Sequence, residues 1–351
     1  MSLESQEHSI SIWRRRMNRG FLSSVVNTRA YMEAEKEWVV ELQRYHRYWY
    51  DLIVNSHEVA EYFDSRQLIV DYLKRVKAEV EAGLEKRFVY FICSRERVRF
   101  NTKRSPSYNP LTRATKLHLL IGKNQTKKTI RCRFFDEQRR KFHKPDIEVS
   151  EKYITIRNAE GNLFTQSIHD FLENANISVG LDSRVEYVGY TKNPELRPTN
   201  GKHTGLSHIL HRLADNGRDS FIYFNLFKII TKATNQKFML NFAMANAMTD
   251  EIDVEMEGKI LEKCFIFYFD AAGQDRNKKN ELAELKKNLQ RLSTDQNIKK
   301  IHVHYEFEKP TEYGVLSSSQ ISPNLQHIFT IQKTEHGFEI THEDGQARSF
   351  S

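Results

Sequence analysis

Apolar and polar side chains alternate with a two-residue period over much of residues 87–157. Because successive side chains of a strand point to opposite faces of a sheet, this period predicts half-buried β-strands. Turn-forming residues separate them at Ser105-Pro106, Asn109-Pro110 and Gly122-Lys123-Asn124. The sequence therefore predicts a β-rich module over residues 86–158, with strands at 88–92, 98–100, 117–121, 129–135 and 153–156.

Positive charge is concentrated in the same module. Residues 86–144 hold eighteen Lys or Arg side chains against three acidic ones, whereas the whole chain has a net charge of +8, so the remainder is acidic. Alternation of cations with apolar residues, as in 130–134, places the cations on one face, which suits a phosphate backbone. An ordinary solvated surface is the alternative. The candidate nucleic-acid contacts are Arg95, Arg97, Arg99, Lys103, Arg104, Arg131, Arg133, Arg139, Arg140 and Lys141.

Residues 30–85 show a helical spacing of apolar side chains. One run follows a 4-3-4-3 pattern, and a second run follows after a break near residues 55–57. The pattern predicts a helical hairpin whose two stripes pack on each other, although such a stripe also allows homodimerisation. The runs are Trp38, Leu42, Tyr45, Trp49, Leu52 and then Ile69, Leu73, Val76, Val80, Leu84.

Composition narrows the class of protein. No window approaches the roughly 18 unbroken apolar residues of a membrane-spanning helix, and the first residues lack a secretory pattern. The three cysteines Cys93, Cys132 and Cys264 are an odd number in separate apolar settings, which favours reduced thiols. We therefore expect a cytoplasmic protein that does not bind membranes.

Three residue types suited to phosphodiester hydrolysis occur in the second half of the chain. Tyr187-Val188-Gly189 closes a predicted strand at 184–190, and Arg197 follows ten positions after the tyrosine. Glu262 lies on a predicted helix at 255–269 and shares its face with apolar residues, so its carboxylate requires a partner. A tyrosine can position water, an arginine can grip two phosphate oxygens, and one carboxylate with waters suits Mg²⁺.

These segments resemble the GIY-YIG nuclease family. Tyr187-Val188-Gly189 with Lys192 and Arg197 is similar to the second half of the family signature, and residues 257–266 resemble the helix with the metal-binding glutamate. The resemblance covers roughly residues 150–280 and implies an endonuclease dependent on Mg²⁺ or Mn²⁺. It assigns the metal to Glu262 and stabilisation of phosphate charge to Arg197.

The tyrosine that orients the nucleophile is left open by the sequence. The family's first motif would fall in residues 176–180, which contain no tyrosine. Tyr153 replaces it from an earlier strand, Tyr187 or Tyr190 takes its role, or the site is inactive. His203 is a candidate for proton transfer and Lys192 for a phosphate contact.

The predicted fold class is α+β, in four parts. These are a helical region at 1–85, the basic module at 86–158, a GIY-YIG-like domain with a small central sheet flanked by helices at 159–280, and a C-terminal helix and strands at 281–351. The function that this organisation favours is a metal-dependent DNA endonuclease of the restriction or phage-defence type. RNA is an alternative substrate, since Tyr108, Phe134 and Phe135 are able to stack on bases. A catalytically inactive nucleic-acid-binding or scaffold protein is the alternative from another class.

Overall fold

A ten-stranded mixed sheet forms the centre of the chain, with the strand order β16-β12-β2-β13-β1-β15-β17-β18-β19 and β14 paired to β13. The structure is a computed structural model that describes residues 19–59, 63–82, 88–136, 140–158, 161–197, 209, 213, 216–275 and 277–351. The strands of this sheet are β1 (Glu35–Trp49), β2 (Phe88–Glu96), β12 (Ser183–Thr191), β13 (Arg218–Asn235), β14 (Leu240–Ala245), β15 (Ile298–Glu306), β16 (Leu316–Ser317), β17 (Gln326–Lys333), β18 (Phe338–His342) and β19 (Ala347–Phe350).

Between β2 and β12 the chain forms a separate β-rich insertion of three small sheets. One sheet has four strands, one has three and one has two. In the first of these sheets, β5 pairs with β3 and β4 along one edge and with β6 along the other. The strands are β3 (Val98–Phe100), β4 (Ser107–Asn109), β5 (Ala114–Ile121), β6 (Thr126–Cys132), β7 (Phe134–Asp136), β8 (Lys141–His143), β9 (Asp146–Val149), β10 (Tyr153–Arg157) and β11 (Leu163–Ser167).

Helices cover both faces of the large sheet. The described α-helices are α1 (Ser23–Val26), α2 (Arg29–Met32), α3 (Asp51–Val54), α4 (Ser65–Ala82), α5 (Ile168–Asn174), α6 (Asn246–Thr249), α7 (Val254–Phe269) and α8 (Lys278–Asp295). One face of the sheet packs against α4, which buries Ile69, Leu73 and Val76 there. The other face packs against α7, whose Phe265 contacts aromatic residues of four strands. The described segments contain no helix that is both long and apolar enough to cross a membrane.

The prediction of an N-terminal helical hairpin is wrong in its first arm. Residues 35–49 form β1, which pairs with β13 and β15. A β-bulge lies between Leu42 and Arg44, where the register of the β1–β13 pairing shifts. On one face, side chains follow each other at steps of two residues from Trp38 to Leu42, at a step of three across the bulge to Tyr45, and at steps of two through Arg47 to Trp49. The bulged strand therefore reproduces the 4-3-4 spacing of a helix.

The second predicted arm is confirmed as the helix α4. Its apolar stripe packs mainly on the sheet, because Leu73 and Val76 belong to the same cluster as Tyr90 and Phe224, and Ile53 of the short helix α3 joins this cluster. Homodimerisation stays a prediction, and the stripe that suggested it is covered within the chain.

The predicted small central sheet is also wrong. The observed sheet has ten strands and takes at least one strand from each of the four predicted segments. The 18-residue strand β13 joins the parts of this sheet. It pairs with β1 on one side and with β2 and then β14 on the other. Several predicted elements are confirmed, since β2, β3, β12 and α7 lie where the sequence places strands at 88–92, 98–100 and 184–190 and a helix at 255–269.

Phe265 provides a test of the sheet–helix packing. Its ring is fully buried, with centroid distances of 5.1 Å to Phe91, 5.1 Å to Phe227 and 5.7 Å to Phe329. We expect Phe265→Ala to lower the free energy of unfolding in urea by about 3–5 kcal/mol, because it leaves a cavity. Leu111→Ala is the control, since Leu111 is 95% exposed and its loss costs about 0.5 kcal/mol or less. A loss below about 1.5 kcal/mol for Phe265→Ala contradicts this packing.

Candidate functional site

The candidate site lies at the open edge of β12. On its outer side, β12 pairs with β16 only at Ser183 and Arg184, and the rest of that edge has no strand partner among the described residues. Two side chains take the place of a strand. Glu262 Oε1 accepts a hydrogen bond from the Tyr190 amide at 2.9 Å, and the Gln274 amide group bonds both the N–H and the carbonyl of Val188. Unpaired edge amides are costly when buried, so these contacts fix Glu262 against β12.

Helix α7 brings Glu262 to this edge. The helix begins at Asp253, whose carboxylate accepts from the amides of Glu255 and Met256 at 3.0 Å each. Just over one turn later the helix touches β12 through Gly258. A Cβ atom at that position would lie 2.2 Å from the Tyr190 ring, so glycine is required for this close approach. The sequence therefore fixes both the start of α7 and its contact with the strand.

A pair of tyrosines lies across β2 and β12. Tyr90 is opposite Gly189, and Tyr187 is opposite Ile92 in the antiparallel pairing. The two rings are 6.0 Å apart between centroids, and the Tyr90 and Tyr187 hydroxyls share a hydrogen bond. Gly189 makes room for Tyr90, since a Cβ there would lie 2.4 Å from the ring.

Tyr90 was missed by the sequence reasoning. It lies in the predicted strand 88–92, within Phe88-Val89-Tyr90, but the whole β-rich insertion separates it from Tyr187. The only local sign of Tyr90 is a tyrosine within a predicted β-strand. Such tyrosines are common, so Tyr90 is recognised as part of the site only when the strand pairing is known. Tyr153, offered as a replacement, lies instead on β10, where burial raises its pKa and the charges of Glu58 and Asp51 raise it further.

Arg197 and Glu262 lie close enough to both tyrosines to shift their pKa values. Burial raises the pKa of Tyr187, the negative charge of Glu262 raises it further, and Arg197 lowers it. The pKa of Tyr90 is raised by burial and by its hydrogen bond to Tyr187. Both hydroxyls therefore keep their protons at neutral pH. The structure thus brings together three predicted residues, Tyr187, Arg197 and Glu262, and adds Tyr90.

Glu262 is a carboxyl group whose protonation changes near neutral pH. Burial raises its pKa to about 7, and the negative charges of Glu281 and Glu284 oppose ionisation, while Lys263 favours it. Its side chain keeps 19% of its surface exposed. The Lys263 ammonium lies 3.1 Å from Glu284, 3.3 Å from Glu281 and 3.7 Å from Glu262, so its closest partners are on α8.

These residues fit a divalent cation held with water. The described residues contain no group of three or more His, Cys, Asp or Glu side chains arranged as metal ligands. Mg²⁺ keeps much of its hydration shell and commonly binds proteins through one or two carboxylates. Three carboxylates share the single ammonium of Lys263, which leaves local negative charge beside Glu262. Glu262 is therefore the residue that would hold Mg²⁺ or Mn²⁺.

The other predicted catalytic residues have different surroundings. Tyr190 packs its ring on Gly258 and gives its backbone N–H to Glu262, which makes it a positioning residue. Lys192 forms an ion pair with Glu255, and hydrogen bonds from Lys192 and Lys259 lower the pKa of that carboxyl to about 2. His203 lies outside the described residues.

The predicted nucleic-acid contacts divide into three groups. Arg95 is fully buried, with its guanidinium 4.3 Å from the Tyr313 ring and paired with Glu312, so it holds the interior and cannot contact a ligand there. Arg97, Arg99, Lys103 and Arg104 line a cavity at the base of the insertion. Arg131, Arg133, Arg140 and Lys141 are exposed, and Arg139 lies outside the described part of the chain.

Comparison of the chain with models of protein families, with curated proteins and with solved structures finds no match.

The pH dependence of stability tests the environment of Glu262. Its pKa is raised in the folded protein from 4.5 to about 7, so its contribution to stability is complete below pH 4.5 and is lost as pH rises through 7. Relative to Glu262→Gln, the wild type should lose up to about 3 kcal/mol of unfolding free energy between pH 4.5 and 8. Urea denaturation of both proteins at a series of pH values measures this difference.

Glu255→Gln is the matched control on the same helix. The pKa of Glu255 is lowered to about 2, so its difference from wild type should be constant between pH 5 and 8. A Glu262→Gln difference that is equally constant contradicts the buried environment of Glu262.

Proposed function

We propose that this chain is a cytoplasmic, metal-dependent endonuclease that hydrolyses phosphodiester bonds in DNA. The observation that carries the proposal is the meeting of two tyrosine hydroxyls, a guanidinium and a carboxylate at one edge of the sheet. These groups come from β2, β12, the segment after β12 and α7. Such a set is unusual for a purely structural cluster, because a carboxyl group near its midpoint of ionisation and an exposed arginine adjoin a partly exposed tyrosine.

The proposed roles follow from the protonation states. The Tyr90 and Tyr187 hydroxyls share one hydrogen bond, so one of their two protons is left for another acceptor, which is the attacking water or a phosphate oxygen. Since both pKa values are raised, the tyrosines orient the nucleophile as donors and do not serve as bases. Arg197, on the exposed turn after β12, binds phosphate oxygens and stabilises the charge of the transition state.

Glu262 is the residue that would hold Mg²⁺ or Mn²⁺ in this proposal. When bound, the cation neutralises charge on the phosphate and on the leaving oxygen. Glu262 binds it in the ionised form, which predominates above pH 7 because its pKa is about 7. The amide of Tyr190 holds the other carboxylate oxygen and thereby orients the group.

The same layout supports a relationship to the GIY-YIG nucleases at the level of the site. In this proposal Phe88-Val89-Tyr90 stands in the position of the first motif, and Tyr187-Val188-Gly189 is the second. The two motif strands, β2 and β12, are adjacent and antiparallel. The whole insertion then lies between the two motifs.

A nucleic-acid-binding protein without hydrolytic activity is the second candidate. The observation that favours it is Lys263, whose ammonium lies 3.7 Å from Glu262 and supplies a positive charge to the carboxylates. In that case Glu262 serves to cap the edge of β12. Metal-stimulated cleavage separates the two candidates.

Glu262→Gln tests the metal-binding role. We expect cleavage of DNA in the presence of Mg²⁺ to fall by at least about 100-fold, because the amide cannot replace the charge of the ligand. Affinity for DNA in the absence of metal should change less than about twofold, since one charge near the edge is lost. Glu255→Gln, on the exposed side of the same helix, should cleave like the wild type. Equal cleavage by Glu262→Gln and wild type contradicts the assignment.

Tyr90→Phe tests the tyrosine pair. The ring stays over Gly189, but Tyr187 loses its hydrogen-bond partner, so we expect kcat to fall on the order of 100-fold with little change in KM. Tyr153→Phe is the matched control, because it removes a hydroxyl from a strand outside the site and should leave kcat unchanged. A kcat for Tyr90→Phe within twofold of wild type removes Tyr90 from the mechanism.

A further inference from the structure

A cavity of about 680 Å³ lies at the base of the insertion, where β2 leads into β3. Six cations line it, namely Arg97, Arg99, Lys103, Arg104, Lys123 and Lys127. Among the described residues of its lining, Glu151 supplies the one carboxylate. A concave surface with this excess of positive charge attracts anions more strongly than the same charges on a flat surface.

Most of these cations are not neutralised by the protein. Lys103, Arg104, Lys123 and Lys127 have no carboxylate within 4.0 Å in the described part of the chain. Arg99 is different, since its guanidinium binds both oxygens of Asp219 at 2.9 and 3.0 Å. Asp219 is held in turn by His169 at 3.0 Å. Arg99 is therefore fixed in the lining of the cavity, and Lys103, Arg104, Lys123 and Lys127 are available to a ligand.

The frame of the cavity is built by backbone hydrogen bonds. The Gly122 amide donates to the Arg97 carbonyl at 2.7 Å, and the Asn101 amide donates to the His118 carbonyl at 2.7 Å. Gly122 has a φ of +69°, which allows the turn that carries Lys123 between β5 and β6. Lys127 follows at the start of β6. The cations are thus attached to paired strands and a tight turn, which hold their spacing.

The cavity lies at the far end of β2 from the tyrosine pair. Seven residues of extended chain separate Tyr90 from Arg97, which corresponds to about 23 Å at 3.3 Å per residue. With a rise of about 3.4 Å per nucleotide, this distance spans roughly seven nucleotides of a DNA strand. A single nucleotide is too short to touch both places, whereas a duplex is long enough.

We propose that this cavity binds the phosphate backbone of DNA about seven nucleotides from the phosphodiester bond at the tyrosine–glutamate site. The binding part of the inference stands on the cavity alone, and the spacing rests on the proposed function. The cavity would hold the substrate in register, so that duplexes too short to reach it bind and react poorly.

The test compares two double variants with the same loss of charge. Lys123→Ser/Lys127→Ser alters the cavity, and Lys287→Ser/Lys309→Ser removes two exposed lysines elsewhere. Affinity for a 20-base-pair duplex is measured by fluorescence anisotropy at several salt concentrations. We expect the cavity variant to lose at least about tenfold in affinity and its salt slope to fall by about two, because two phosphate contacts are lost. The control should stay within about twofold of wild type, and circular dichroism verifies that both variants fold.

Ligand length distinguishes a backbone site from a site for small anions. A five-base-pair duplex cannot reach from the cavity to the tyrosine pair, so it should bind the wild type much more weakly than the 20-base-pair duplex does. Neither inorganic phosphate nor a mononucleotide at millimolar concentration should displace the long duplex. Displacement by a mononucleotide overturns the proposal in favour of a nucleotide site. Equal binding of the long duplex by wild type and cavity variant also overturns it.

Hydrolysis is scored separately in the same proteins. Loss of binding in the cavity variant with no cleavage by the wild type supports the cavity and refutes the nuclease. Unchanged binding in the cavity variant with normal cleavage supports the nuclease and refutes the cavity.

Discussion

The hydrogen bond between Glu262 and the Tyr190 amide is the contact on which the site depends. The outer edge of β12 has no strand partner beyond Arg184 among the described residues, so side chains must satisfy its amides. This requirement draws the carboxylate of α7 out of water and into a partly buried position, and the burial raises its pKa to about 7. Gly258 permits the approach. The requirement to hydrogen-bond the unpaired amides of an edge strand thus places an ionisable group beside the two tyrosines.

The topology of the sheet explains how distant segments form one site. β2 and β12 are adjacent, yet the chain between them builds the three small sheets of the insertion. The two tyrosine strands therefore also fix where the insertion begins and ends. Its basic cavity starts at Arg97, directly after β2, so a rigid strand links the cavity to the tyrosine pair. If the proposed function holds, the substrate must be a linear polyanion long enough to contact both ends of this strand.

Local patterns predict several elements and fail where a bulge imitates another spacing or where distant segments meet. The helix α7 is predicted because buried apolar residues fill its C-terminal half, and β12 is predicted although its pairing with β2 shifts register between Val185 and Tyr187. The prediction for β1 fails because a bulge after Leu42 converts the spacing of this strand to that of a helix. Tyr90 was missed because strand pairing across an insertion is not visible in local patterns. The sequence predicts Arg95 as a ligand contact, but Glu312 and Tyr313 cover its guanidinium in the interior. No local pattern indicates this burial, because these residues are far from Arg95 in sequence.

Incubation of supercoiled plasmid DNA with the wild-type protein, with Mg²⁺ or Mn²⁺ and with a chelator, tests the central claim most directly. The account predicts conversion to nicked or linear DNA when either cation is present and none in the chelator. No conversion with either cation over a range of pH values above 7, or equal conversion in the chelator, contradicts a metal-dependent hydrolytic site at Tyr90, Tyr187, Arg197 and Glu262.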